Sequence, residues 1–176
     1  MSHPLHLAVA RELGRRIGGR TELLRDEACG GSQHLPLFCG VRRGRDMQLC
    51  KVDLLAVASG QVRAILEIEE SGFNPTKICG KFLTSALATH LIHDSRPEPV
   101  VPFADRVLFV QVLDGSKFLK PGTRKDKQAE QIERLIRGML PFRRNSVTDY
   151  RLFLVSGARD TSQLEAVGEV VSWFLA

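Results

Sequence analysis

The sequence predicts an α/β domain, and three observations carry that expectation. Apolar residues at helical spacing bracket the chain, Leu5, Val9, Leu13 and Ile17 at one end and Leu164, Val167, Val171 and Phe174 at the other. Three strand-like runs follow one another between residues 35 and 70, and helix-like and strand-like segments alternate after them.

The first helix is expected to end or bend at Gly18 and Gly19, and Thr21 to Glu27 to add a short turn. Leu35 to Arg43, Met47 to Ala58 and Gln61 to Glu70 read as an antiparallel meander, broken at Gly44 to Asp46 and at Ser59 with Gly60. Asn74 and Pro75 suit an N-cap and first helical position, opening a long helix that runs through Ile78, Phe82 and Ile92 toward Asp94. Ser95 to Pro99, with Pro102, reads as a loop, and the nearly continuous apolar run Val107 to Leu113 as a strand covered on both faces. Lys125 to Leu140 carries Ile132, Leu135, Ile136 and Met139 at helical spacing until Pro141, and Arg151 to Ser156 is the last expected strand. The expected order is αβββαβαβα, with neither repeat nor linker, so residues 1–176 are expected to form one domain.

Composition narrows the function classes. The chain is 43% hydrophobic and 26% charged, as in soluble globular proteins, and no apolar run approaches the roughly 20 residues that a membrane span needs. Arg11, Glu12, Arg15 and Arg16 interrupt any signal-peptide core, which suggests a cytoplasmic protein without a membrane partner. Four cysteines lack a C-x-x-C pair; Cys39 and Cys50 would face each other across a two-residue hairpin at Gly44 and Arg45. P-loop, dinucleotide and nucleophile-elbow motifs are absent. The formal charge of +5 favours a polyanionic partner, with the basic residues grouped as Arg42, Arg43 and Arg45, as Lys117, Lys120, Arg124, Lys125 and Lys127, and as Arg143 with Arg144.

Within this basic surface lies an acidic group. Asp53 interrupts one apolar run, and Glu67 and Glu69 another, although an unpartnered buried charge costs several kcal/mol. Glu67 and Glu69, two apart in a strand, share a face. A three-residue loop, Ser59 to Gln61, would pair Ala58 with Val62, Asp53 with Glu67 and Lys51 with Glu69; a two-residue turn would send Asp53 to the opposite face. The three-residue loop is the expected one because it gathers the acids where a cation neutralises them.

Asp53, thirteen intervening residues, then Glu67-x-Glu69 before a helix resembles the PD-(D/E)XK superfamily of nucleases. The resemblance implies a restriction-endonuclease-like αβββαβ core, a mixed central sheet flanked by helices. It further implies a Mg²⁺-dependent phosphodiester hydrolase, with Mn²⁺ an alternative ion, acting on nucleic acid, DNA above all, as an endonuclease. Asp53, Glu67 and Glu69 would serve catalysis and hold the metal, and Glu12 on the first helix would assist the metal shell. Val52 stands where the motif has proline, and Glu69 where it has lysine. Lys77 or Lys81, one turn apart on the next helix, would supply the missing cation, Lys77 being preferred for its place in the first turn. Cutting both strands would call for a homodimer. The alternative is a catalytically inactive nuclease-like module that binds nucleic acid or a protein, and Glu69 in place of lysine is its support.

Overall fold

A computed structural model describes residues 3–93, 96, 98–116, 122–142 and 145–176. Lys117, Lys120, Arg143, Arg144 and Asp94 therefore lie outside the described residues. The chain is α/β, with four helices and a mixed, mostly antiparallel sheet among them.

Helix α1 spans Pro4–Arg16 and buries Leu5, Val9 and Leu13. The expected turn after it is a strand instead, β1 (Thr21–Arg25), because Leu23 and Leu24 pair with Ala56 and Leu55 and tertiary pairing overrides a weak local signal. The first strand-like run yields β2 (Leu35–Phe38). The second is two strands, β3 (Gln48–Val52) and β4 (Leu54–Ala58), with Asp53 between them. β3 pairs with β2, whereas β4 pairs with β1 and with β5 (Gln61–Glu69). Asp53 is thus a corner, its carbonyl accepting from the Asp26 amide at 2.9 Å.

Helix α2 (Pro75–Ala86) begins as expected, with the Asn74 side chain accepting from the Lys77 amide, but ends well short of Asp94. Residues 90–92 form β6 (His90–Ile92), which pairs with β2 and with the start of β7 (Val100–Asp114). The proline-bearing stretch around Pro102 therefore belongs to a strand, in agreement with proline's tolerance for irregular sheet positions. Helix α3 (Lys125–Met139), β8 (Val147–Val155) and α4 (Thr161–Leu175) complete the chain. β5, β7 and β8 run parallel, and α2 forms the crossover from β5 to β7.

Alternation along β4 and β5 divides the core into two layers. Leu54, Ala56, Ala64, Leu66 and Ile68 face α1 and α4; Leu55, Val57, Val62 and Ile65 face α2 and α3 through Phe82, Ala86 and Ile136. No described helix is long and apolar enough to cross a membrane.

The β4–β5 turn is the two-residue kind, Ala58 pairing with Gln61, and both Ser59 (φ 52°) and Gly60 (φ 72°) are left-handed, as a type I′ hairpin requires. By itself this turn would put Asp53 and Glu67 on opposite faces. A β-bulge reverses that outcome: Val57 pairs with Val62 but Ala56 with Ala64, leaving Arg63 as the extra residue. Beyond it Leu54 faces Leu66, so Asp53 falls opposite Glu67 as expected, by a different route. Lys51 does not reach Glu69; it is exposed opposite Pro36 in the β2–β3 pair. Cys39 and Cys50 are not opposed either, since Cys50 pairs with Leu37 and Cys39 bonds Met47, and all four cysteines are free.

The turn yields a stability prediction. Ser59→Asn should raise, and Gly60→Val lower, the urea midpoint, the latter by about 1–2 kcal/mol of unfolding free energy, because asparagine tolerates a left-handed backbone and a β-branched residue does not.

Candidate metal centre

Three chain ends meet at one place, the start of α1, the end of β5 and the start of α2, with the Asp53 corner beside them. They surround a cleft of about 410 Å³ lined by His3, His6, Asp53, Glu69, Glu70, Ser71, Lys77 and Lys81, with Ile68 at its base.

Asp53, half-buried at the cleft, and Glu67, buried beside it, form the inner pair. The β4–β5 ladder ends at Leu54 and Leu66, and the Asp53 carboxylate takes over from it, accepting the Ile68 amide through Oδ2 at 2.6 Å. Glu67 is only 3% exposed, and its carboxyl lies within hydrogen-bonding reach of Asp53. Burial is the largest influence on both and disfavours their charge. It pushes Glu67 up to about 8, with the Asp53 charge adding to the shift and Lys81 opposing it. Asp53 is also raised by burial, against the Ile68 amide, Lys81 and His6.

Both expected lysines reach the acids, each a different one. Lys81 Nζ lies 2.6 Å from Glu67 Oε2 and 3.8 Å from Glu69 Oε2, while Lys77 Nζ lies 2.5 Å from Glu69 Oε2. Lys81, one turn further along α2 than the preferred Lys77, is therefore the cation of the buried pair. Burial pulls its pKa down, but Glu67, Asp53 and Glu69 together raise it, so it stays charged. Glu69 also accepts the Ser71 amide at 2.9 Å and the Ser71 hydroxyl. Burial works against its charge, yet Lys77 and Ser71 outweigh burial and hold it below the ordinary value.

The first helix contributes a histidine rather than the expected acid. Glu12 is outside the cleft: Arg15 and Arg16 hold its carboxylate, and it lines a separate depression with Ala158 and Thr161. The helix-borne carboxylate is occupied by its i+3 and i+4 neighbours, which removes it from the proposed metal shell. His6 instead stands between two acids, Nδ1 3.0 Å from Glu70 Oε1 and Nε2 3.7 Å from Asp53 Oδ2. Nothing in the local sequence marks His6, because its role depends on the start of α1 being laid against the end of β5.

The basic residues are more dispersed. Arg42, Arg43 and Arg45 lie in the exposed β2–β3 connection, at the far end of β3 from Asp53, about 17 Å away at the rise of a strand. Arg124 and Lys127 are exposed at the start of α3, and Lys125 is half-buried. β7 ends beside β5, Leu113 opposite Glu69, so the segment leading to α3 leaves from the acidic edge.

The donor set suits a hard divalent ion. Asp53 and Glu67 offer only oxygen, and two adjacent carboxyls raised by burial are what a cation would relieve. Comparison with protein-family models, with curated proteins and with solved structures returns no match.

A pH prediction follows from Glu67. Its folded pKa, about 8, exceeds the ordinary 4.5, so the folded state keeps a proton that the unfolded state releases. The stability this proton provides is complete below about pH 4.5 and is lost as pH rises toward 8, by at most about 1.4 kcal/mol per pH unit. Denaturant titrations at several pH values should show wild type losing stability relative to Glu67→Gln across that window.

Proposed function

We propose that this chain is a metal-dependent phosphodiester hydrolase of the PD-(D/E)XK kind, acting on DNA as an endonuclease. The observation that carries the reading is the convergence on Lys81 of Glu67, in the otherwise apolar β5, and Asp53, at the corner before β4, beside a half-open cleft that Asp53 and Lys81 line. Topology supports it too. α1, β1, β4, β5, α2 and β7 follow the order αβββαβ, with two antiparallel pairings and then a parallel one across the helix. The trio of strands differs from that expected, since β1 replaces the first strand-like run and the β2–β3 hairpin is an insertion before the Asp53 corner.

Asp53 and Glu67 would hold Mg²⁺, or Mn²⁺ in its place. Such an ion supplies Lewis acidity and lowers the pKa of a bound water. The chain's own groups do the rest. Lys81, arriving from the helix, provides the cation that Glu69 does not, and an ammonium beside the acids stabilises charge on a scissile phosphate. Lys77 and Ser71 fix Glu69, which keeps the third acid ionised at the mouth of the cleft. Arg124 and Lys127, following the acidic edge, would meet the phosphate backbone, and cutting both strands would take two copies of the chain.

A second reading has one specific observation in its favour. Each acid of the E-x-E pair already has a lysine within 2.6 Å, so both have a countercharge without a metal, as in a module that binds and does not cut.

Incubation with supercoiled plasmid and Mg²⁺ or Mn²⁺ separates the two. The hydrolase should nick the plasmid, Asp53→Ala and Glu67→Ala should abolish nicking, and Lys81→Met should slow it by about 10²-fold or more with the fold intact by circular dichroism. Metal-independent binding with no nicking under either ion establishes the second reading instead. Duplex affinity should fall steeply with salt, and neutralising Arg124 or Lys127 should lower the slope of log K against log salt by about one unit each.

A further inference from the structure

Beside the oxygen-only pair lies a cluster of different chemistry. His3, His6 and Glu70 each present a ligand atom to the others, all within 4.8 Å, at the rim of the same cleft. We infer that these three residues form a second divalent-cation site, selective for ions that accept imidazole nitrogen, such as Zn²⁺, Co²⁺ or Ni²⁺, over Mg²⁺.

The local structure prepares the site from both sides. His3 and His6 are the N-cap residue and a first-turn residue of α1, three apart and so on one face, with Pro4 fixing the backbone between them. Their rings meet edge to face at 5.1 Å and 67°, which keeps both imidazoles together at the start of the helix. Glu70 is held from the other side, accepting the amides of Leu5 at 2.8 Å and His6 at 3.2 Å, so its carboxylate is positioned by backbone. His6 Nδ1 and Glu70 Oε1 share a hydrogen bond of 3.0 Å, close enough for both atoms to reach one ion at bond lengths of about 2.0–2.1 Å once that bond is given up.

Two effects oppose each other at this place. The α1 N-terminus carries positive partial charge, which disfavours a cation by about 0.3–1 kcal/mol. Glu70 lies in the site itself, its Oε1 3.0 Å from His6 Nδ1, and a carboxylate at that distance outweighs the helix end. Two imidazoles and one carboxylate, with the cleft leaving positions open, form a donor set that suits zinc and its neighbours and not magnesium, which takes oxygen and water. The inference is independent of phosphodiester cleavage, because binding is read without any substrate.

Titration of the full chain with Co²⁺, followed by visible absorption and calorimetry, tests the site. Wild type should bind Co²⁺ with a nitrogen-ligand spectrum that persists in millimolar Mg²⁺, and Asp53→Ala with Glu67→Ala should keep that spectrum at one Co²⁺ per chain. His3→Ala, whose side chain makes no capping bond and whose loss should leave the fold unchanged, should weaken binding by about tenfold or more, and His6→Ala should do the same. Wild-type Co²⁺ affinity in His3→Ala, or a spectrum erased by Mg²⁺ or by the Asp53 and Glu67 substitutions, overturns the site.

Discussion

The structure is organised around a carboxyl pair that the interior does not favour. Glu67 sits in the centre of a sheet whose neighbouring residues, Ile65, Leu66 and Ile68, are fully or almost fully buried, and it faces a second acid across the strand. An apolar residue there would be neutral or better for stability, since a buried ion pair rarely repays its desolvation. Lys81 limits the cost without removing it, because Glu67 stays raised even with an ammonium at 2.6 Å. A feature that stability alone does not support, joined through Lys81 to the wall of a cleft, is the physical basis for assigning the site a function.

Local devices that look incidental become intelligible as means of placing that pair. The type I′ turn at Ser59 and Gly60 and the bulge at Arg63 are each a one-residue change of register, and together they cancel. Either alone would turn Asp53 and Glu67 to opposite faces, as strand alternation has a period of two. The corner at Asp53 serves the same end. A strand passing straight through would spend its backbone groups on a single ladder, whereas the bend lets the Asp53 side chain satisfy the Ile68 amide and hands β3 to β2 while β4 pairs with β5.

This cancellation explains what the sequence made legible and what it hid. Two acids interrupting apolar runs, and two lysines four apart on the following helix, are local signals, and the structure brings Asp53, Glu67, Glu69, Lys77 and Lys81 together. β1 was hidden because Thr21–Arg25 has no alternation, its burial being set by Ala56 and Leu55 of a strand thirty residues away. The long helix was overextended through His90 and Ile92 because apolar spacing does not separate a helix from a short strand, and β6 exists by pairing with β2 and β7. Glu12 and His6 exchange roles for the same reason. Facing the acids is decided by how α1 lies on the sheet, and its register leaves Glu12 to Arg15 and Arg16 while His6 reaches Asp53.

On the proposed reading, the lysines have a role beyond neutralising the acids. Asp53 and Glu67 would hold a divalent ion only by giving up the proton that burial keeps on the pair, and Glu67 would then loosen its hold on Lys81. An ammonium so displaced has Glu69 within 3.8 Å, and Glu69 is already held by Lys77 and Ser71. The freed charge therefore remains at the cleft, where a phosphate would arrive. On that reading Glu69 would retain the lysine that α2 supplies, whereas a lysine in its place would repel it, which gives a physical reason for a glutamate at this position.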